Sequence, residues 1–190
     1  MKRLPFRLLA VSALGMSLAW PVLAAPPNPD DELGRLIAER GLIGRLEQAS
    51  HAVRTQASEL VVHAMGFLGV PYRRGGTSGD HGFDCSGFVQ SIYEQTIGLA
   101  LPRRANEQAA ATQTIDQREL QPGDLVFFNT MRQAFSHVGI YVGNGKFIHA
   151  PKPGAQVRMD DMAGNYWVRR FDGARRVVAG APGPDGSQGR

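Results

Sequence analysis

One cysteine in 190 residues is the scarcity that says most about this chain. Cys85 has no partner for an intramolecular disulfide, so the fold is not one stapled by sulfur bridges. The five histidines are scattered, and no HExxH or CxxC spacing occurs, so no metal is expected. No GxGxxG or P-loop is present, which argues against a nucleotide cofactor, and no GxSxG elbow surrounds Ser86. No acidic residue precedes Asp30, whereas Lys2, Arg3 and Arg7 are basic. Of the 21 Lys+Arg, those three fall within residues 1–24, leaving 18 against all 17 Asp+Glu. The basicity therefore belongs to the leader and gives no support to a nucleic-acid partner. Hydrophobic residues at 43% and charged residues at 20% are globular values.

The leader reads as a secretory signal. A positive start is followed by the apolar run Leu8 to Trp20, and Val22-Leu23-Ala24 offers a cleavage site after Ala24. The run is shorter than the ~20 residues of a spanning helix and ends at Pro21, so no membrane span is expected once residues 1–24 are removed. No cysteine follows for a lipid anchor. The expected product is a soluble, exported protein of the periplasm, working as a monomer. Residues 25–56 read as a Pro-rich spacer (Ala25-Pro26-Pro27-Asn28-Pro29) and a helical extension broken at Gly34, Gly41 and Gly44. The domain is expected over 57–179, with a disordered Gly- and Pro-rich tail over 180–190. Within the domain, the apolar spacing predicts helices over Ser58–Leu68 and Cys85–Ile97, the latter stopped by Gly98. Gly75 to Asp80 is predicted as a loop. The period then changes to two, which predicts strands at Asp124–Asn129, His137–Val142 and Lys146–Ala150, and another near Arg175–Val178. Helices first and antiparallel strands afterwards argue an α+β domain.

Cys85 stands at a predicted helix start. Unpaired backbone N–H groups and the positive end of the dipole favour thiolate there, and the same groups suit a developing oxyanion. Asp84 is the expected N-cap, and Gly87 would let substrate approach the helix. The plain alternative is a buried structural cysteine. His137 begins a strand on whose face Gly139 leaves room for another group, and its imidazole suits a general base for the thiol. Whether His149 can assist depends on register. A two-residue loop at Asn144-Gly145 would place it on the opposite face from His137. A three-residue loop, Gly143-Asn144-Gly145 with a bulge at Gly145, would pair Gly139 with His149 and bring the histidines to one face. The three-residue loop is the expected one.

The ordered motifs Gly69-Val70-Pro71-Tyr72 with Gly75-Gly76, Phe83-Asp84-Cys85-Ser86-Gly87-Phe88-Val89, Leu101-Pro102-Arg103, Pro122-Gly123-Asp124-Leu125-Val126-Phe127-Phe128, His137-Val138-Gly139-Ile140-Tyr141 and Phe147-Ile148-His149-Ala150 span about Ser58 to Val178. This run closely resembles the NlpC/P60 cysteine peptidases, and most of all their short proteobacterial murein endopeptidases. The resemblance implies a reduced papain-like core, no cofactor, and cleavage of peptide bonds in peptidoglycan stem peptides or cross-links. It implies that Cys85, His137 and His149 are the catalytic residues. It also implies that Tyr72 serves the oxyanion or substrate, and that Asp84 and Ser86 meet polar substrate groups unless capping explains them.

The resemblance tilts the expected bond toward the D-alanyl–diaminopimelate cross-link over D-glutamyl–diaminopimelate. Two other readings use the same residues: an amidase or acyltransferase of this fold, and a wall-binding scaffold without catalysis. Arg73-Arg74 and Arg103-Arg104 are local departures that suit carboxylate binding or solvated surface charge.

Overall fold

The computed structural model describes residues 33–35 and 41–178, so the leader, the Pro-rich spacer and the tail expectation lie outside the described residues. The described residues from Gly44 onward belong to one compact unit. Helix α1 (Leu42–Gly66) runs through Gly44, whose cost of about 1 kcal/mol does not break it. The part of the expected extension from Leu42 onward and the helix predicted from Ser58 are thus one element, which begins just after Gly41. Only Leu60 and Ala64 of α1 are buried.

Within the predicted Gly75–Asp80 loop, β1 (Thr77–Ser78) pairs with β2 (Gly82–Phe83) just beyond it. Helix α2 (Cys85–Ile97) has the predicted bounds because both signals are present: Asp84 caps the start, and Gly98 at φ 68° closes the end. A short helix α3 (Ala105–Ala110) and strand β3 (Gln113–Ile115) follow. Then come β4 (Leu125–Phe128), β5 (His137–Gly143), β6 (Lys146–His149), β7 (Arg158–Asp161), a single turn α4 (Asn165–Val168) and β8 (Phe171–Arg176).

The six longer strands form one antiparallel sheet in the order β3-β8-β4-β5-β6-β7. All four β4 residues are buried, which is why that segment reads as a continuous apolar run rather than an alternation. On one face Leu125, Phe127, Val138 and Ile140 pack with Phe88, Val89 and Ile92 of α2. Val126, Phe128 and Phe147 form a second cluster with Met162 and Trp167. Sequence pattern misplaces β8 by about four residues, since Phe171-Asp172-Gly173 offers no alternation. It misses β7, a polar edge strand.

The β5–β6 hairpin decides the site. Ile140 pairs with Ile148 and Tyr141 with Phe147, which puts Gly139 opposite His149, as expected. The route differs from the expected one. Gly143 pairs with Lys146 across an Asn144-Gly145 turn with both φ positive, at 52° and 72°, and the extra residue is a bulge between Tyr141 and Gly143. One added residue is the same register shift wherever it sits. Gly139 does not leave empty space, because a Cβ there would lie 2.6 Å from Cδ2 of Phe147 and 3.2 Å from Cβ of His149. Gly139→Ala is therefore expected to cost about 1–3 kcal/mol through overpacking, read as a lower denaturation midpoint in urea.

Candidate active site

Asp84 builds the start of α2. Its Oδ1 accepts from the Gly87 N–H at 2.8 Å, and its Oδ2 accepts from the Gly75 N–H at 2.8 Å. Arg103 grips both oxygens, at 2.9 and 2.6 Å, and also donates to the Ser86 hydroxyl at 3.0 Å. The polar atoms of Asp84 and Ser86, expected to meet substrate, are thus engaged in holding the helix start against the Tyr72–Gly76 loop. Arg103 is neither a solvated surface charge nor a free fork. Gly87 serves the same junction: a Cβ there would lie 2.1 Å from the Gly76 carbonyl oxygen, so its smallness admits the loop rather than substrate.

Cys85 sits half-buried in the first turn of α2, with the N–H groups of Val138, Ser86 and Cys85 itself turned on its sulfur. The expected acidified thiolate is not what this environment favours. Burial, aided by the Asp84 charge, outweighs those N–H groups and pushes the thiol up to about 11. Burial also holds His137 well below the ordinary imidazole value, with the neighbouring His149 adding to the effect. Both effects disfavour charge on the thiol and on the imidazole. Alkylation of Cys85 by iodoacetamide is accordingly expected to rise with pH from 6 to 9. A plateau extending to pH 5 would instead indicate a preformed ion pair.

His137 and His149 meet as the register requires. Nε2 of His137 lies 2.7 Å from Nδ1 of His149, and Nε2 of His149 lies 3.1 Å from Oδ2 of Asp160. Hydrogen bonding to His149, with Arg158 adding further support, holds the Asp160 carboxyl far below its ordinary value. Asp160 is therefore an acceptor only, which assigns the protons along the row. His149 donates from Nε2, its Nδ1 accepts from His137 Nε2, and Nδ1 of His137 keeps a lone pair for a proton.

Trp167 covers this row. Its ring is stacked on His137 at 5.7 Å and 22°, and its Nε1 donates to Asp160 Oδ2 at 3.1 Å. Arg158 donates to the same oxygen at 2.9 Å. Asp160, Arg158 and Trp167 were not found from sequence. The segment Arg158-Met159-Asp160-Asp161 has no apolar period, and only its pairing of Asp160 with Phe147 puts the carboxylate on the histidine face.

The buried histidines set the acid sensitivity of the fold. Burial lowers both, so the unfolded chain binds their protons more tightly than the folded one. Stability is then full above about pH 6.5 and falls as pH drops below it, by up to ~1.4 kcal/mol per pH unit for each ring. Asp160, whose value is depressed on folding, contributes stability that disappears only at still lower pH. Urea midpoints measured from pH 8 to pH 5 should fall in that window.

Cys85, His137, Tyr72 and Trp167 line one cavity of about 510 Å³. A second, of about 780 Å³, shares Tyr72, Arg74 and Cys85 with the first and reaches Asp84, Arg103 and Arg104. Tyr72, which lines both, is half-buried, and desolvation with the nearby Cys85 sulfur raises its hydroxyl above the usual phenol value.

The architecture is the α+β arrangement of a reduced papain-like core, with a cysteine at the helix start beside a histidine-bearing sheet. The chain belongs to the NlpC/P60 family, whose family model matches residues 69–176. It is 42% identical over 139 residues to Murein DD-endopeptidase MepH of Escherichia coli (strain K12), an alignment covering 71% of this chain and 51% of that protein. It is 40% identical over 118 residues to Gamma-DL-glutamyl hydrolase of Bacillus subtilis (strain 168), covering 62% and 28% respectively. Among solved structures it resembles an NlpC/P60 family protein from Bacillus cereus ATCC 10987, with TM-score 0.60 and 37% identity over 65% of this chain and 40% of that one. The chain thus spans about half of MepH and a smaller part of the glutamyl hydrolase. No helix among the described residues is long and apolar enough to cross a membrane.

Proposed function

We propose that this protein is an exported cysteine endopeptidase that hydrolyses peptide bonds of peptidoglycan, with the D-alanyl–diaminopimelate cross-link as its preferred bond. The observation that carries the reading is the Cys85 thiol at a helix N-terminus, in one cavity with a histidine whose far nitrogen is tied through His149 to Asp160. Nδ1 of His137 takes the thiol proton as sulfur attacks the scissile carbonyl. The oxyanion is met by the Cys85 N–H and the Tyr72 hydroxyl. His137 then gives the proton to the leaving amine, leaving a thioester on Cys85. Water, deprotonated by His137, releases the acid and restores the thiol. Asp160 and His149 keep the imidazole in the tautomer this needs.

The positive start and short apolar run of residues 1–24 support export to the periplasm. Similarity to MepH, a murein DD-endopeptidase, supports the cross-link, and similarity to a gamma-DL-glutamyl hydrolase makes a glutamyl bond the competing choice. Digestion of diaminopimelate-type peptidoglycan followed by mass spectrometry decides between them. Conversion of cross-linked dimers to tetrapeptide monomers is expected, whereas stems ending at D-glutamate would move the cut.

A further inference from the structure

The cleft beside Cys85 is unbalanced in charge. Arg74, Lys152 and Arg158 line the cavity that holds Cys85 and His137, and no Asp or Glu lines it. The only acidic residue lining the second cavity is Asp84, which Arg103 already neutralises. Arg158 is likewise paired, with Asp160. Arg74 is in neither ion pair, and no ion pair among the described residues includes it.

Arg74 is also the arginine that lines both cavities, each of which is lined by Tyr72 and Cys85 as well. The loop that carries it is fixed. Arg73 N–H donates to the Phe83 carbonyl at 2.8 Å, Gly76 N–H to the Arg73 carbonyl at 2.9 Å, and Gly75 N–H to Asp84 Oδ2. A planar cation on a braced loop, without a counter-ion and beside a nucleophile, is suited to bidentate carboxylate binding.

We infer that Arg74 is the specificity-determining anchor of this cleft and binds a substrate carboxylate adjacent to the scissile amide. The inference rests on the peptidase reading and names what its cleft selects. Two carboxylates fit that description. In the D-alanyl–diaminopimelate cross-link the leaving amine is borne on a carbon that also carries a carboxylate. In a D-glutamyl–diaminopimelate bond the acyl residue carries one. Arg103, engaged with Asp84, and Arg158, engaged with Asp160, are structural partners by comparison.

Binding separates this from catalysis. The Cys85→Ala protein would be titrated calorimetrically with a cross-linked muropeptide dimer, and with dimers amidated at the diaminopimelate or at the D-glutamate carboxylate. The same titrations would be run on Cys85→Ala combined with Arg74→Gln and with Arg74→Lys. Amidation of one of the two carboxylates is expected to weaken binding on the order of tenfold when Arg74 is present. In the Arg74→Gln protein that preference should fall to within twofold, with Arg74→Lys intermediate. The carboxylate that responds tells which side of the bond Arg74 holds. An amidation effect of equal size in Arg74 and Gln proteins, or no binding difference for either carboxylate, overturns the inference. Cleavage of the unmodified dimer by the wild-type protein, run in parallel, tests the peptidase reading separately.

Discussion

His137→Ala is expected to lower kcat for muropeptide cleavage by about 10²–10⁴-fold while leaving the fold in place. The size follows from the role of Nδ1 as acceptor of the thiol proton. Burial disfavours charge on both the imidazole and the thiol, so attack gains from a base positioned to take the thiol proton. Because the two residues act as one unit, Cys85→Ala and the double variant should be equally inactive. A double variant much slower than Cys85→Ala would show that His137 works independently of the thiol. Asp160→Asn should show a smaller loss. An amide can present a donor toward His149, which would reverse the tautomer of the row, and its signature would be an altered pH profile rather than lost substrate binding.

The largest effect on stability is expected at the far end of the sheet. Arg176 donates to both oxygens of Asp124 at 2.8 and 2.7 Å, and to the Glu119 carbonyl at 2.8 Å. Asp124 is 4% exposed. Arg176→Ala would leave a buried carboxylate without its counter-charge, at a cost on the order of 3 kcal/mol. For a domain of this size that corresponds to a fall in Tm of roughly 10 °C. The double variant Arg176→Ala with Asp124→Asn should recover part of the loss, since it removes the unpaired charge. If both variants melt like wild type, the pair contributes nothing measurable. Activity in Arg176→Ala at temperatures where it remains folded should be close to normal, because neither Arg176 nor Asp124 lines the cleft.

What could be read from sequence was local. Helix α2 carries its own boundary signals in Asp84 and Gly98, and β5 and β6 alternate plainly, so the cysteine, its helix and the two histidines are legible in the sequence. The shared face of His137 and His149 also followed from register, although the bulge that produces it lies on β5 rather than at Gly145. Non-local features were hidden. Asp160 stands in a polar edge strand whose place is set by pairing with Phe147, and Trp167 reaches the histidines from a single helical turn. The ion pair of Arg103 with Asp84 joins residues 19 apart, and no local spacing distinguishes it from a solvated charge. The thiol's upward shift is hidden for a related reason: a helix start is a local property, whereas burial is not.

The most direct test of the central claim is intact-protein mass spectrometry of acid-quenched reactions between the protein and a cross-linked muropeptide dimer, with the adduct mapped by digestion. The expected result is a mass increase equal to the acyl portion of the cleaved stem, located on Cys85 and absent in the Cys85→Ala protein, which should also release no product. Undiminished cleavage by Cys85→Ala, with no adduct on the wild-type cysteine during turnover, would contradict a thioester mechanism at this site.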